Sequence, residues 1–381
     1  MLVNSRIRGI KPSYIRDILS AANAEGVLSL AGGLPPQEGF PLEYLRSSFA
    51  RLGDSPELFQ YGPTGGYPPL LDFLTSLYDI KPEGDLLIGN GSQQCLDLIA
   101  RAFVEPGQKI AMEVPAYVGA MQVFALAGAD IKTVESHPDG PDLNQLAALF
   151  SAGETSIFYA VPDFHNPTGR CWSIEKRREV ATLCVQHGVT LIEDAPYRDL
   201  RFAGEDLPMV SSQCLESSLV LRSFSKTAMP GMRLGCVSGP APWIEQLRLV
   251  KQSADLHTAV PMQAVLLDLL SWEGYTGHLK KLKKQYWSRY DTLASALENG
   301  GQGRLSFEPV SGGMFIWVTL QNVDGEFLAR QCLARHVAVV PGSAFYPAGQ
   351  HGVDALRLNF TCVDSDGLEQ AARTICQLLS E

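Results

Sequence analysis

Short apolar runs alternate with stretches of helical spacing through the middle of the chain. Four runs have the apolar, β-branched content of buried strands: Lys109–Glu113, Ser156–Val161, Thr190–Glu193 and Ser218–Arg222. Between the second and third lies Glu175–His187, which has helical spacing with its charges on one face. Wholly apolar strands separated by helices form parallel sheets that are covered on both faces. The sequence therefore predicts an α/β fold built on a mainly parallel sheet.

The C-terminal part has a different pattern. We expect a long amphipathic helix over His278–Leu297 and a closing helix over Gly367–Leu379. Three runs between them are typical of strands: Met314–Thr319, Val337–Val340 and Ala355–Phe360. The first forty residues are rich in Gly and Pro and predict an extended arm. Because 381 residues suit two domains, we expect an arm at 1–44, a large domain at 45–270 and a small α/β domain at 271–381.

Charge and cysteine usage narrow the classes of function. The chain has 31 Lys and Arg against 41 Asp and Glu, a net charge of −10, which disfavours nucleic-acid and anionic-membrane binding. Its eight cysteines are scattered without a C-x-x-C pair, which is typical of a reducing compartment and disfavours a zinc site. The start of the chain does not resemble a signal peptide, and apolar stretches long enough to span a membrane are missing. We therefore expect a cytoplasmic protein.

Hydroxyls, an amine and a guanidinium follow the fourth predicted strand. Ser223, Ser225, Lys226 and Arg233 lie within eleven residues of one another. Hydroxyl groups and arginine suit a phosphate dianion. A lysine sheltered beside them loses its proton more easily and can then form an imine. The alternative is a polar strand end with a solvated lysine, and the run alone does not separate the two.

A second phosphate signal precedes a predicted helix. The run Asn90-Gly91-Ser92-Gln93-Gln94 leads into the helical stretch Cys95–Phe103. A helix N-terminus offers unpaired N–H groups and the positive end of a dipole to a phosphate. The alternative is that Ser92 is an ordinary N-cap. The chain lacks both G-x-G-x-x-G and G-x-x-x-x-G-K-[ST], so dinucleotide and nucleoside-triphosphate binding lack their usual motifs.

Two further motifs follow predicted strands. Asp194 closes the third strand at its carboxyl end, where α/β proteins bind ligands, and a carboxylate there could keep a ring nitrogen protonated. Tyr197 follows three residues later and could reach a phenolic oxygen on the same ring. Asn166-Pro167-Thr168-Gly169 comes after the second strand, and its alternative interpretation is a tight turn.

The order and spacing of these motifs resemble those of the class I/II aminotransferases, the fold-type I enzymes that depend on pyridoxal 5'-phosphate. The chain is most similar to the branch of 2-aminoadipate, kynurenine and broad-specificity transaminases. The phrases that carry this likeness are Ala31–Pro35, Gln60–Gly66 and Pro162–Gly169. The resemblance covers nearly the whole chain. It implies a large domain with a mainly parallel seven-stranded sheet and a smaller α/β domain.

The resemblance implies a cofactor role for each matching residue. Lys226 is expected to form a Schiff base with pyridoxal 5'-phosphate and to move the proton in catalysis. Asp194 is expected to pair with the ring nitrogen. Tyr117 is expected to stack on the ring, the alternative being an ordinary core aromatic. The remaining contacts are expected from Asn166 and Tyr197 at the ring oxygen, from Ser92, Gln93, Ser223, Ser225 and Arg233 at the phosphate, and from Tyr61 at the phosphate of the partner subunit.

The same resemblance implies substrate contacts and a homodimer with composite active sites. Arg357 would clamp the α-carboxylate bidentately, the alternative being a buried ion pair. Gly33 and Asn166 would also face the substrate. Arg16 lies where relatives carry an arginine near the substrate side chain, and a solvated arginine is an equal alternative. His165 departs from the polar residue that relatives often have there, which leaves substrate preference open.

The implied activity is transfer of an amino group from an L-amino acid to a 2-oxo acid by a ping-pong mechanism. Other reactions on the same scaffold are open alternatives: C–S β-elimination, racemisation, decarboxylation and oxidation. A more remote alternative is the ligand-binding module of a transcription regulator. The acidic charge, and a resemblance that begins within the first dozen residues, disfavour that alternative.

Overall fold

The computed structural model describes Ile18, residues 24–350 and residues 352–381. Its strands are β1 (Leu28–Ser29), β2 (Gly84–Gly89), β3 (Lys109–Val114), β4 (Asp130–His137), β5 (Gly140–Pro141), β6 (Thr155–Ala160), β7 (Thr190–Asp194), β8 (Ser218–Ser223), β9 (Gly235–Pro240), β10 (Leu305–Phe307), β11 (Phe315–Leu320), β12 (Val337–Ala338), β13 (Val340–Pro341) and β14 (Ala355–Asn359). Its α-helices are α1 (Leu42–Leu52), α2 (Pro68–Leu77), α3 (Ser92–Phe103), α4 (Val118–Ala127), α5 (Leu143–Ser151), α6 (Ile174–His187), α7 (Ala241–Ala254), α8 (Val260–Ser271), α9 (Tyr275–Gly300), α10 (Gly325–Ala334) and α11 (Ser365–Ser380). Within these described residues, none of the helices is long and apolar enough to cross a membrane.

The largest sheet confirms the predicted α/β architecture. Its strand order is β2-β9-β8-β7-β6-β3-β4-β5, and the central strands from β8 to β4 are parallel. The four strands predicted from apolar runs are β3, β6, β7 and β8, each with ends within one residue of the prediction. The expected seven strands are accompanied by the two-residue β5, which pairs with the end of β4.

Helices cover both faces of this sheet, as the continuous apolar strands require. In β6, Ile157 and Tyr159 pack into the cluster formed with α3 and α4. The intervening Phe158 and Ala160 pack into the opposite cluster, formed with α5 and α6. Side chains alternate between the faces of a strand, so a strand that is covered on both faces carries apolar residues at successive positions.

The C-terminal part forms an antiparallel sheet in the order β10-β11-β14-β13, backed by α9 and α11. The prediction of one continuous strand over Val337–Val340 was wrong. The structure divides it into β12, which pairs with β1, and β13, which pairs with β14. The two halves pair with strands of different sheets, β1 and β14. Pro341 also lacks the N–H that would be needed to extend the pairing of β13 with β14.

A buried carboxylate fixes the loop that follows β6. Asp163 is fully buried and accepts hydrogen bonds from Arg177 (2.7 Å), Arg198 (2.9 Å) and Arg201 (3.5 Å). Burial alone would raise the pKa of Asp163, but the neighbouring guanidiniums, that of Arg177 foremost, outweigh it and hold the pKa below its usual value. The network ties this loop to α6 and to the segment after β7.

We predict that Asp163→Asn lowers the free energy of unfolding by about 3 kcal/mol, because it leaves the fully buried Arg177 without its charge partner. Urea denaturation followed by fluorescence measures the loss. Glu154→Gln is the matched control, since it removes a carboxylate whose ion pair with Lys109 lies at the surface. Equal denaturation midpoints for the two variants would contradict this account.

Candidate active site

One cavity of about 510 Å³ opens at the carboxyl ends of the parallel strands. Parallel α/β sheets bind ligands at this edge, because the loops that follow the strands converge there. The cavity brings together twelve of the residues singled out in the sequence: Gly33, Ser92, Gln93, Tyr117, Asn166, Asp194, Tyr197, Ser223, Ser225, Lys226, Arg233 and Arg357. Two others are not among them. Tyr61 is 80% exposed outside the cavity, and Arg16 lies outside the described residues.

One end of the cavity has the character of an anion site. Helix α3 begins at Ser92, and its N-cap is Gly91, which adopts a φ of +84° and provides no side-chain cap. The alternative interpretation of Ser92 as an N-cap is therefore wrong. Arg233 lies against the same turn, since its Nη2 donates to the Asn90 carbonyl at 3.3 Å. A dianion at this point would meet uncapped N–H groups, the helix dipole and a guanidinium.

Glycine makes the close approach at this end possible. A Cβ added at Gly235 would lie 2.5 Å from the Ser92 nitrogen, and one at Gly91 would lie 2.8 Å from Arg233 Nη2. Distances this short exclude any side chain at Gly235. The Gly91-Ser92 turn therefore packs directly against β9 on one side and against the Arg233 side chain on the other.

Lys226 extends into the cavity rather than into solvent. Its Nζ donates a hydrogen bond to the Gly33 carbonyl at 2.7 Å. Burial lowers the pKa of this lysine to about 8. A substantial fraction of the amine is therefore neutral near physiological pH, as a nucleophile that forms imines requires. The alternative interpretation of a solvated lysine at a strand end is wrong.

Asp194 stands at the end of β7 with one oxygen bound and the other unpaired among the described residues. Its Oδ2 accepts a hydrogen bond from the Tyr159 hydroxyl at 2.7 Å, while Oδ1 is buried. Burial raises the pKa of Asp194 to about 6. A buried carboxylate with one orphaned oxygen suits a protonated ring nitrogen, which would supply both a hydrogen bond and a compensating charge.

The sequence did not predict a role for Tyr159 in the site, because its position in an apolar run indicated only a buried strand residue. The residue type itself is a signal, because a buried tyrosine usually has a hydrogen-bond partner for its hydroxyl. In β6 its side chain lies beside the end of β7, which identifies Asp194 as the partner.

Asn166, Tyr197 and Tyr117 form the polar wall of the cavity. The Asn166 amide lies 3.4 Å from the Tyr197 hydroxyl, and both side chains are buried. The Tyr117 hydroxyl donates to Gln93 Oε1 at 3.0 Å. Burial raises the pKa of Tyr117 to about 12 and also raises that of Tyr197, so both hydroxyls remain protonated hydrogen-bond donors.

Arg357 is buried in β14, and among residues 24–350 and 352–381 its hydrogen-bond partners are not carboxylates. Nη1 donates to Asn166 Oδ1 at 2.9 Å and Nη2 to the Ala31 carbonyl, while the buried Nε has no partner among the described residues. The guanidinium lies 4.5 Å and 5.0 Å from the ring centroids of Phe315 and Phe345, two cavity residues that the sequence did not reveal. Burial lowers the pKa of Arg357 to about 10. Across the part of the chain that the structure describes, the buried ion pair is therefore ruled out.

The residues present fit pyridoxal 5'-phosphate. The cavity combines an uncapped helix N-terminus and an arginine for the phosphate with a lysine amine of lowered pKa for the aldehyde. For the ring nitrogen it offers a carboxylate oxygen that has no hydrogen-bond partner among the described residues. Within the described ranges, the structure contains no cluster of His, Cys, Asp and Glu that could hold a metal ion.

The chain is similar to known proteins over nearly its whole length. Residues 25–375 match the family model of class I and II aminotransferases. A 2-aminoadipate transaminase of Thermus thermophilus is 34% identical over 97% of this chain and 94% of that protein. An aromatic-amino-acid aminotransferase of Thermococcus litoralis is 31% identical over 98% of this chain and 93% of that protein.

Solved structures show the same likeness. The structure of LysN, an alpha-aminoadipate aminotransferase from T. thermophilus complexed with N-(5'-phosphopyridoxyl)-L-leucine, superposes with a TM-score of 0.93. The two chains are 33% identical, and the match covers 99% of this chain and 97% of that one. The chain therefore belongs to the class I and II aminotransferases of fold type I, enzymes that depend on pyridoxal 5'-phosphate and transfer amino groups between amino acids and 2-oxo acids.

Proposed function

We propose that Lys226, Asp194 and Arg357 carry the aminotransferase reaction of this chain. The observation that supports the proposal most directly is that three groups line one cavity: an amine of lowered pKa, a carboxylate with one oxygen unbonded, and a guanidinium with no carboxylate partner, both among the described residues. When bound, the cofactor supplies a conjugated ring that accepts the electron pair released at the substrate Cα. The side chains of the protein provide binding, orientation and proton transfer around that ring.

In this proposal Lys226 is the residue that moves the proton. Because its pKa is about 8, the free amine accepts a proton readily and gives it back as readily near neutral pH. Its hydrogen bond to the Gly33 carbonyl indicates where the amine rests when it is not covalently engaged. That carbonyl belongs to the segment that we expect beside the substrate.

Asp194 would keep the ring nitrogen protonated. A cationic ring nitrogen facing Oδ1 would offset the desolvation that raises the pKa of this carboxyl, so that the carboxylate stays ionised. The hydroxyl of Tyr159 donates to Oδ2 and leaves Oδ1 as the oxygen that would bind the ring nitrogen. Tyr117 would stack on the ring, and Asn166 and Tyr197 would bind its oxygen.

Arg357 would bind the α-carboxylate of the L-amino acid and of the 2-oxo acid in turn. A carboxylate is the partner that its guanidinium lacks among the described residues, and the fork geometry of arginine allows two parallel hydrogen bonds. Asn166 and Gly33 lie beside it in the cavity and would complete the substrate site. In this proposal Arg16 contacts the side chain of the substrate. A panel of acidic, aromatic and aliphatic amino donors tests that choice.

We further propose a homodimer in which Tyr61 reaches the phosphate in the partner subunit. Tyr61 does not line the cavity of its own chain, is 80% exposed, and packs edge-on against His257 with 5.8 Å between the ring centroids. Phe59, two residues earlier, is 64% exposed. Large exposed aromatics on one segment are typical of a surface that a partner covers.

A cytoplasmic location without nucleic-acid partners completes the proposal. All eight cysteines lie within the described residues as free thiols, which is typical of proteins in a reducing compartment. The net charge of −10 opposes binding to a polyanion.

The lowered pKa of Lys226 predicts its reactivity as a function of pH. In the cofactor-free protein, acylation of Lys226 should rise with pH and reach half its maximal rate near pH 8, because only the neutral amine reacts. Mass spectrometry of the peptide measures the rate, with the exposed Lys280 as the reference in the same spectra. A Lys226 profile that coincides with that of Lys280 would contradict the effect of burial.

Arg357→Lys tests the substrate site. It keeps a positive charge but loses the fork, so we expect the KM for amino acids to rise by about tenfold or more while cofactor content stays normal. Arg289→Lys is the matched control, because Arg289 is also a buried arginine but does not line the cavity. An unchanged KM in Arg357→Lys would show that the carboxylate binds elsewhere.

Hybrid dimers test the composite site. Tyr61→Phe should weaken cofactor binding by about tenfold through loss of a charge-assisted hydrogen bond. Mixing Tyr61→Phe subunits with Lys226→Ala subunits should restore normal cofactor affinity at one site per dimer, since the intact Lys226 then meets the intact Tyr61 of the other chain. Tyr44→Phe, at a tyrosine that bonds to the Asp268 carbonyl, is the control. Hybrids without recovery would place Tyr61 in its own subunit's site or outside any site.

A further inference from the structure

An ion pair between a fully buried lysine and a part-buried aspartate lies outside the cavity, next to the turn that forms the anion site. Lys251 is completely buried near the end of α7, and its Nζ lies 2.9 Å from both carboxylate oxygens of Asp255. Neither residue lines the cavity. The reaction as described makes no use of this pair, yet burying a lysine is costly unless its partners repay the lost hydration.

The pair is bonded to both sides of the turn that begins α3. Asp255 Oδ2 accepts hydrogen bonds from Asn90 Nδ2 and from Gln94 Nε2, each at 2.6 Å. Gln94 Oε1 in turn accepts from the Asn90 backbone N–H at 2.7 Å and from Lys251 Nζ at 3.2 Å. Asn90 and Gln94 are thus joined through side chains that converge on one carboxylate.

These two anchored residues bracket Gly91, Ser92 and Gln93. Ser92 and Gln93 begin α3 without a side-chain cap, and all three bracketed residues line the cavity. The carbonyl of Asn90 also receives Arg233 Nη2, so the same anchor orients the guanidinium of that site. A shift of Asn90 would therefore displace both the helix N-terminus and the arginine.

The charges of the cluster are balanced. A bare carboxylate behind a phosphate site would repel the dianion, whereas the ammonium of Lys251 neutralises Asp255 at 2.9 Å. The cluster therefore anchors the turn without a net negative charge near the phosphate.

We propose that Lys251 and Asp255 are positioning residues for the cofactor phosphate, acting through Asn90 and Gln94 on the turn that binds it. The inference rests on the proposed phosphate site formed by Ser92, Gln93 and Arg233. A positioning role and a purely structural role differ in their effect on ligand binding. A positioning role affects binding of the phosphate group selectively, whereas a structural role affects binding of the whole cofactor.

The test compares two ligands that cannot react with Lys226, pyridoxamine 5'-phosphate and pyridoxamine, which differ only in the phosphate. Calorimetry on the cofactor-free enzyme gives both dissociation constants. Asp255→Asn replaces one acceptor oxygen by an amide N–H₂, which faces the hydrogen-bond donors of Asn90, Gln94 and Lys251. We therefore expect the dissociation constant for pyridoxamine 5'-phosphate to rise about tenfold. The constant for pyridoxamine should change little.

Two further variants keep the proposal testable if Asp255→Asn fails to fold. Asn90→Ala removes one donor, leaves the Lys251–Asp255 pair intact, and should show a smaller loss of the same phosphate-specific kind. Lys251→Met leaves the carboxylate uncompensated and should weaken pyridoxamine 5'-phosphate most. Adding Asp255→Asn to Lys251→Met should then restore part of the affinity. A double variant that binds no more tightly would contradict the charge-balancing role of Lys251.

Asp268→Asn is the matched control, because this partly buried aspartate accepts from Ser48 and Arg51 in a cluster that does not touch the turn. Arg233→Met distinguishes failure of the proposed phosphate site from failure of the positioning role of Lys251 and Asp255. If it leaves phosphate discrimination intact, the proposed phosphate site itself is wrong. If it abolishes discrimination while Asp255→Asn weakens both ligands equally, or neither, the positioning role is overturned and the phosphate site stands.

Discussion

Desolvation of unpaired ionisable groups is the constraint on which the cavity depends. Burial lowers the pKa of Lys226 to about 8 and of Arg357 to about 10, and raises that of Asp194 to about 6. Each shift favours the neutral form of a group that has no opposite charge within ion-pair distance in the part of the chain that the structure describes. Such a site is expensive to maintain in the folded protein, and a ligand that brings the missing charges removes the cost. A phosphorylated pyridine aldehyde and an amino acid bring an anion, a ring nitrogen and a carboxylate.

Two networks of charged residues outside the cavity differ from the cavity groups, because their charges are paired. Asp163 is paired with its arginines and Lys251 with Asp255, and none of these residues lines the cavity. Both networks lie behind segments that carry site residues, the loop before Asn166 and the turn before Ser92. In these two networks the charges are paired, whereas Lys226, Asp194 and Arg357 in the cavity have no opposite charge within ion-pair distance among the described residues. This division explains how a strained electrostatic site is held in one geometry.

Much of this arrangement could be predicted from the sequence, because local pattern determined it. Continuous apolar runs predicted β3, β6, β7 and β8, and the positions of Asp194 and Lys226 relative to strand ends brought them together at one edge of the sheet. Features that depend on tertiary partners were not predictable in the same way. Val337–Val340 divides because two different strands compete for it. The role of Tyr159 is visible only once β6 lies beside β7, and Lys251 and Asp255 give no local sign that they anchor a turn some 160 residues away.

The measurement that tests the central claim most directly is a half-reaction. The enzyme loaded with pyridoxal 5'-phosphate is mixed with one L-amino acid and no oxo acid, then quenched and analysed by chromatography. The account predicts about one equivalent of pyridoxamine 5'-phosphate and one of 2-oxo acid per subunit, with return to the aldehyde form when 2-oxoglutarate is added. Continued release of oxo acid and ammonia, with the cofactor remaining in the aldehyde form, would show elimination or oxidation and would contradict it.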